Sequence, residues 1–294
     1  MPMLWLEGRR LDGDCAVFDL RDRGLMLGDG LFDTSLAVNG RVVFADAHMD
    51  RLAGSCAVFG IPFDRWAAAR TLTEAAAEIG TGALRITVTR GAAPRGLLPP
   101  ADPAPRTIVA AHAGRPGAVW RPVRLASTGI RRNETSPTSR HKCLSYLDAI
   151  VALDAAAAGG ADEVLFRNTA GRAVCCATGN LFVLTGKVLR TPPIADGVLP
   201  GVLRRIVMEL CPDLGLTARE ESLTPSDLSA ADAVFMTNSL RLIAPVVSVD
   251  GVSLSADGFQ TLQGLARALA ALVEDRHGSC RWIAEGPAAW PISA

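Results

Sequence analysis

Of the thirty Lys and Arg residues, only Lys142 and Lys187 are lysine. A deprotonated lysine amine can attack a carbonyl and form a Schiff base, which an ever-protonated guanidinium cannot do. Two amines in a chain that otherwise uses arginine therefore mark two positions to weigh. Lys187 lies in Thr185-Gly186-Lys187 between apolar runs and reads as a solvated hairpin tip. Lys142 follows Arg140 and His141 in a polar stretch just before an alanine-rich segment. It is either a solvated charge at the start of a helix or a Schiff-base lysine. Tyr146, the one tyrosine of the chain, comes four residues later. A helix beginning at Cys143 would carry it on the same face as Lys142. The seven cysteines are odd in number and scattered, with Cys175 and Cys176 adjacent. They form no disulfide framework and no pair has the two-residue gap of a zinc knuckle, so no metal site is expected.

Thirty acidic side chains balance the thirty basic ones, so no net field attracts a nucleic-acid backbone or an anionic membrane surface. With 49% apolar and 20% charged residues the chain has the composition of a globular protein. The apolar run Met1 to Leu6 stops at Glu7, too short for a signal sequence. Later apolar stretches are cut by Asp148, Asp154 and Glu274 before they reach the ~20 residues of a spanning helix. A cytoplasmic protein is expected. At 294 residues, two domains are the better expectation.

The elements that would position these groups follow from periodicity. Strand, turn and strand are read over Leu4 to Val17, a loop over Asp22 to Gly30, and a hairpin from Leu31 to Val38 through Asn39-Gly40 into Arg41 to Phe44. Helical spacing covers Ala45 to Phe59 and Asp64 to Ile79. Strands Ala83 to Arg90 and Arg106 to His112 flank a Gly/Pro-rich loop. This is an α+β pattern for a first domain, residues 1–115. The stretch 116–122, with Pro116, Gly117 and Pro122, reads as a linker to a second domain, 123–294. There a helix is expected over Cys143 to Ala158, then strands Glu163 to Arg167, Arg172 to Cys176, Leu181 to Leu184 and Val188 to Arg190. A helix Gly201 to Leu210, a strand Asp232 to Thr237 and a final helix Gly258 to Asp275 complete the reading. The tail from Arg276 to Ala294 carries no clear pattern.

Several short motifs occur in a characteristic order. Asp22-Arg23-Gly24 precedes Gly28-Asp29-Gly30-Leu31-Phe32-Asp33-Thr34, and His48-Met49-Asp50-Arg51-Leu52 follows. Lys142, Asn180-Leu181-Phe182, Thr191-Pro192, Leu199-Pro200-Gly201 and Pro245-Val246 come next. In this order and spacing, from about Leu4 to Gly251, the chain resembles the class IV (fold type IV) aminotransferases. The resemblance implies a two-domain α+β fold, with a smaller N-terminal α/β sandwich and a larger C-terminal domain built on a mixed, barrel-like sheet. It also implies pyridoxal 5'-phosphate as cofactor, a small-molecule amino substrate and a homodimer.

By the same resemblance Lys142 is the Schiff-base lysine. Arg51 and the Gly201-Val202-Leu203 turn, with Thr237, would take the cofactor's phosphate, which as a dianion suits a guanidinium and free backbone N–H groups. The family usually has a hydroxyl residue where Leu203 stands. Tyr146 and Asn180 fall among the cofactor contacts. Five residues before Asn180 the family normally has a glutamate that keeps the pyridine nitrogen protonated, and here Cys175 stands in its place, or Cys176 if the alignment shifts by one. Substrate carboxylates would fall to Arg90, Arg95 and Arg241, with Asn238 beside them. Phe32-Asp33-Thr34 and Thr237-Asn238-Ser239-Leu240 resemble the aminodeoxychorismate lyase branch, where a threonine hydroxyl, here Thr34, lies near the substrate. That branch eliminates pyruvate to give 4-aminobenzoate. An aminotransferase of D-amino acids or branched-chain amino acids is the alternative, and a cofactor-binding protein with weakened catalysis is a third, motivated by Cys175.

Overall fold

The computed structural model describes residues 2–13, 15–286 and 290. The chain divides into two compact units, one running to Pro116 and including His141–Ser145, the other comprising Gly117–Arg140 and the chain from Tyr146 on.

The first unit contains strands β1 (Met3–Leu6) and β2 (Arg9–Arg10), helix α1 (Arg23–Leu27), the hairpin β3 (Gly30–Val38) and β4 (Arg41–Val42), helices α2 (Ala45–Val58) and α3 (Arg65–Ile79), and strands β5 (Gly82–Thr89) and β6 (Arg106–Ala113). Its sheet runs β2-β1-β6-β5-β3-β4, every pair antiparallel. Alternation decides the faces. Leu84, Ile86 and Val88 of β5 join Leu31 and Ala37 of β3 in a core with Met49, Leu52 and Cys56 of α2 and Leu72, Ala75 and Ala76 of α3. The hairpin turns on Asn39 and Gly40, both at positive φ, as a two-residue connection between right-twisted strands requires. The expected loop over Asp22 to Gly30 instead contains α1. Its start is capped by the Asp22 side chain, which accepts from the Gly24 and Leu25 N–H groups.

The second unit contains β7 (Val123–Arg132), α4 (Leu147–Ala158), β8 (Glu163–Asn168), β9 (Ala173–Cys176), β10 (Asn180–Thr185), β11 (Val188–Thr191), α5 (Val202–Leu210), β12 (Thr217–Glu220), α6 (Pro225–Ser229), β13 (Ala233–Asn238), β14 (Leu242–Val249), β15 (Val252–Ser253), α7 (Phe259–His277) and α8 (Arg281–Ala284). Strand order is β12-β11-β10-β13-β14-β7-β8-β9, and an additional β10–β9 pairing closes six of these strands into a barrel. The pairs β14–β7 and β7–β8 are parallel and the other pairs of the barrel are antiparallel, so the sheet is mixed. Leu125, Leu165, Cys176, Leu181, Val183, Val234, Met236 and Ala244 fill the barrel interior. The outer face carries Val164, Phe166 and Cys175, covered by Ala149, Ala152 and Ala156 of α4.

The helix expected from Cys143 begins only at Leu147, with Tyr146 as its cap residue. Residues 142–144 are extended and add to the β3 edge: Phe32 N–H donates to Lys142 O at 2.8 Å and Leu144 N–H to Gly30 O at 3.0 Å. Lys142 and Tyr146 therefore do not share a helical face. The backbone groups of this segment find sheet partners, and that tertiary pairing overrides the local helical spacing. Strands β7, β12 and β14 were not anticipated. The tail adds the short α8, and the rest of it beyond Gly286 falls outside the described residues apart from Trp290.

Candidate active site

Lys142 stands on the extended segment docked against β3, with its Nζ 4.3 Å from the Phe32 ring centroid. Phe32 and Thr34 are two residues apart on β3 and share a face, away from the helix-covered core. The amine and the Thr34 hydroxyl are thus presented on one side of one strand. Arg85 belongs to the same face: it is the cross-strand partner of Thr34, and its guanidinium lies 3.6 Å from the Phe32 centroid. Arg85 was not singled out from sequence, although its place between Leu84 and Ile86 in an alternating strand marks it as facing away from the core. Beside the lysine, burial pushes the Cys143 thiol up to about 11, so it stays protonated at neutral pH.

The opposite face of β3 holds Arg51. Asp33, 2% exposed, accepts from Arg51 Nε and Nη2, both at 2.8 Å, and contacts His48 Nδ1 at 2.7 Å. Burial alone would raise the Asp33 carboxyl, but the Arg51 guanidinium and His48 outweigh it and hold that carboxyl well below the usual carboxylate range. The α2 arginine is therefore oriented by a buried carboxylate. Arg90, expected at a substrate carboxylate, is buried instead, its donors engaging Asp29 at 2.8 Å and the Gly60 and Phe59 carbonyls, both at 2.9 Å. It ties α2's end to the loop before β3. Arg95 is exposed in the loop after β5.

The second unit gathers another set on its outer barrel face. Antiparallel pairing sets Asn180 opposite Thr237 on one side and opposite Cys175 on the other, and directly opposed residues share a face. Cys175 thus lies on the Asn180 side, whereas Cys176 turns into the barrel interior. Gly201, the cap residue of α5, packs so closely that a Cβ there would meet Asn180 Oδ1 at 1.9 Å, and Asn180 Nδ2 donates to Leu199 O at 2.8 Å. Among the described residues no side chain caps α5, so its leading N–H groups, at Val202 and Leu203, have no side-chain acceptor there. The Leu203 side chain is buried in the core. The Thr237 hydroxyl is buried, with the residue only 1% exposed, and has no hydrogen-bond partner among the described residues. A buried hydroxyl without a partner is costly and points to an absent acceptor.

Asn238 is engaged in its own turn: its Oδ1 accepts from the Leu240 and Arg241 N–H groups at 3.0 and 2.7 Å, and its Nδ2 donates to Thr178 Oγ1 at 3.2 Å. Arg241 lies in that turn, half-buried. Thr178 also bonds the buried Glu163 carboxylate, which accepts from the Ala177 and Thr178 N–H groups at 2.9 and 3.1 Å. Glu163 therefore positions the turn before Asn180, a role the sequence did not announce. Tyr146 packs at the edge of the Cys175 cluster.

Residues 30–249 match the family description Amino-transferase class IV. The chain belongs to this family. It is 27% identical to the D-alanine aminotransferase of Bacillus licheniformis over 85% of this chain and 89% of that one. The 4-amino-4-deoxychorismate lyase of Pseudomonas aeruginosa superposes with a TM-score of 0.82 at 29% identity, covering 94% of this chain and all of that one. The branched-chain aminotransferase of Thermoproteus uzoniensis gives a TM-score of 0.84 at 27% identity, over 94% and 96% of the two chains. The class IV family comprises pyridoxal-phosphate-dependent aminotransferases and lyases acting on small amino-bearing molecules, and this chain is an enzyme of that family with its α+β fold. In the second unit the residues present fit the cofactor's phosphate ester, which the unpartnered Thr237 hydroxyl and the uncapped start of α5 suit; in the first, Lys142 carries an amine of the kind that forms a Schiff base. Among the described residues no helix is long and apolar enough to cross a membrane.

Proposed function

We propose that the chain binds pyridoxal 5'-phosphate through Lys142 and acts as an aminodeoxychorismate-lyase-like enzyme, releasing pyruvate to leave 4-aminobenzoate. The observation that carries this reading is the shared face of β3, where the Lys142 amine and the Thr34 hydroxyl flank Phe32. When bound, the cofactor supplies an electron-withdrawing ring that stabilises negative charge developing on the substrate's α-carbon. The chain's own residues do the rest. Lys142 would hold the cofactor through its amine, and its Nζ would accept the substrate's α-proton. Thr34 offers a hydroxyl beside it, and Arg85 offers a guanidinium for a substrate carboxylate on the same face. Each unit offers its own group suited to the phosphate: Arg51, held by Asp33, in the first, and Thr237 with the first N–H groups of α5 in the second.

The purified protein is expected to show a visible absorbance that borohydride fixes covalently, that Lys142→Ala abolishes, and that accompanies pyruvate release from 4-amino-4-deoxychorismate. A colourless, cofactor-free protein would overturn the cofactor reading. Bound cofactor that D-alanine or a branched-chain amino acid converts to its amine form, with no pyruvate from the chorismate, would assign an aminotransferase. That second reading has support in the D-alanine and branched-chain relatives. Bound cofactor without either reaction would leave a binding protein. We also propose a homodimer, supported by the exposed stripe Leu147, Ile150 and Val151 on α4, at 74%, 58% and 57% exposure.

A further inference from the structure

Arg132, the last residue of β7, holds its guanidinium 4.4 Å from the centroid of the Phe166 ring. Phe166 is the direct cross-strand partner of Cys175, Cys175 of Asn180, and Asn180 of Thr237. One face of the barrel thus runs from the unpartnered Thr237 hydroxyl, across Asn180, to a thiol with a guanidinium beside it. Neighbouring strands are about 4.8 Å apart, so two strand steps span roughly 9 to 10 Å, the reach of a phosphate ester and the six-membered ring it carries. A phosphate anchored at Thr237 and α5 would therefore put Cys175 within reach of the far edge of that ring.

The charged surroundings of Cys175 are defined from each side. From β7 comes Arg132, whose charge pulls the thiol down against its burial. From β10 comes the neutral Asn180, and from α4 come Ala149 and Ala152, with Tyr146 at the cap before it. Glu163 on β8 is the nearby acid, but it alternates with Val164 and Phe166 in a way that sets it on the Leu165 side. Its carboxylate is engaged by the 177–178 turn. Burial raises the Cys175 thiol, against the pull of Arg132, so the thiol is neutral at physiological pH. The net fixed charge on this face is positive.

We propose that Arg132, seated beside Cys175, places a cation at the nitrogen-bearing edge of the cofactor ring and keeps that nitrogen unprotonated. The inference rests on the cofactor reading above. A like charge nearby opposes protonation, so the ring withdraws electrons less strongly than a pyridinium does. Such a site suits a reaction whose driving force comes from the product, as aromatisation would provide. Arg132 acts here as a positioning residue for charge, and Cys175 as the small neutral group that leaves room for it.

The test uses the full chain loaded with pyridoxal phosphate labelled with nitrogen-15 in the ring, read by the nitrogen chemical shift against pH. The wild type is expected to report an unprotonated nitrogen at neutral pH. Arg132→Leu should move the protonation midpoint up by about one pH unit or more, a tenfold change in the proton equilibrium, while Arg132→Lys leaves it close to wild type. Cys175→Glu, an independent variant should Arg132→Leu fail to fold, should bring the nitrogen to its protonated shift. A protonated nitrogen in the wild type, a midpoint unmoved in Arg132→Leu, or an unprotonated nitrogen in Cys175→Glu would overturn the proposal while leaving the cofactor reading intact. A wild-type chain that takes up no label would overturn both.

Discussion

Thr237 and Asp33 show how differently two buried polar groups can be placed. The Thr237 hydroxyl lacks a partner among the described residues, and the proposed phosphate would supply one. A hydrogen bond to a charged group contributes about 1.5 to 3 kcal/mol. Thr237→Val should therefore weaken pyridoxal phosphate binding about ten- to a hundredfold by equilibrium titration, and leave the apo protein as stable or more so. Asp33 is the reverse case, fully paired with Arg51 and His48. Its carboxyl is lowered from 3.8 in the folded state, so its contribution to stability is present above that value and is lost as pH falls through the lower folded value. Asp33→Asn leaves the Arg51 charge buried beside a neutral amide and should cost about 3 to 5 kcal/mol at pH 7 in urea unfolding. The difference from wild type should shrink toward strongly acidic pH. Cofactor affinity should fall with it, because Arg51 loses the carboxylate that orients its guanidinium.

At the level of elements, two short pieces of backbone decide the geometry. The first is the extended 142–144 segment, whose hydrogen bonds to Phe32 and Gly30 place Lys142 on β3. The second is the close approach of Gly201 to Asn180 at the start of α5. Gly201→Ala puts a methyl where Asn180 Oδ1 now lies, and overpacking of this kind costs about 1 to 3 kcal/mol. The variant should keep its far-UV circular dichroism and bind pyridoxal phosphate about tenfold or more weakly. Strongly periodic elements were legible beforehand: α2, α3, α7 and the alternating β5 lie within two residues of expectation or closer. β14 was not, because it contains Pro245, which lacks the N–H that a ladder needs, and it continues past a bulge between Val246 and Ser248. β7 was not either, since its second half alternates half-buried with exposed polar residues.

For the molecule as a whole, the homodimer is the property to test. An apolar stripe at positions i, i+3 and i+4 of a helix is the spacing that one partner surface can cover. Multi-angle light scattering is expected to give a dimer for the wild type. Ile150→Glu, on the exposed side of α4, should give a monomer with unchanged circular dichroism. A wild-type monomer would remove the homodimer, without touching the roles of Lys142 or Thr237.

The residue types alone marked Lys142 as a position to weigh, because arginine cannot stand in for a nucleophilic amine. The ordered motifs were enough to indicate the family, later matched over residues 30–249. Side-chain chemistry and spacing are written locally, and so they can be read locally. What faces what is not. Whether Cys175 or Cys176 lies beside Asn180, that Glu163 falls on the Cys176 side and not on that of Cys175, that Arg132 arrives from a strand more than forty positions earlier, and that Arg85 shares a face with Lys142 all depend on strand register. Register is set by hydrogen-bonding and packing between distant segments, and a one-residue slip reverses every face. Only the folded barrel and sheet could decide it.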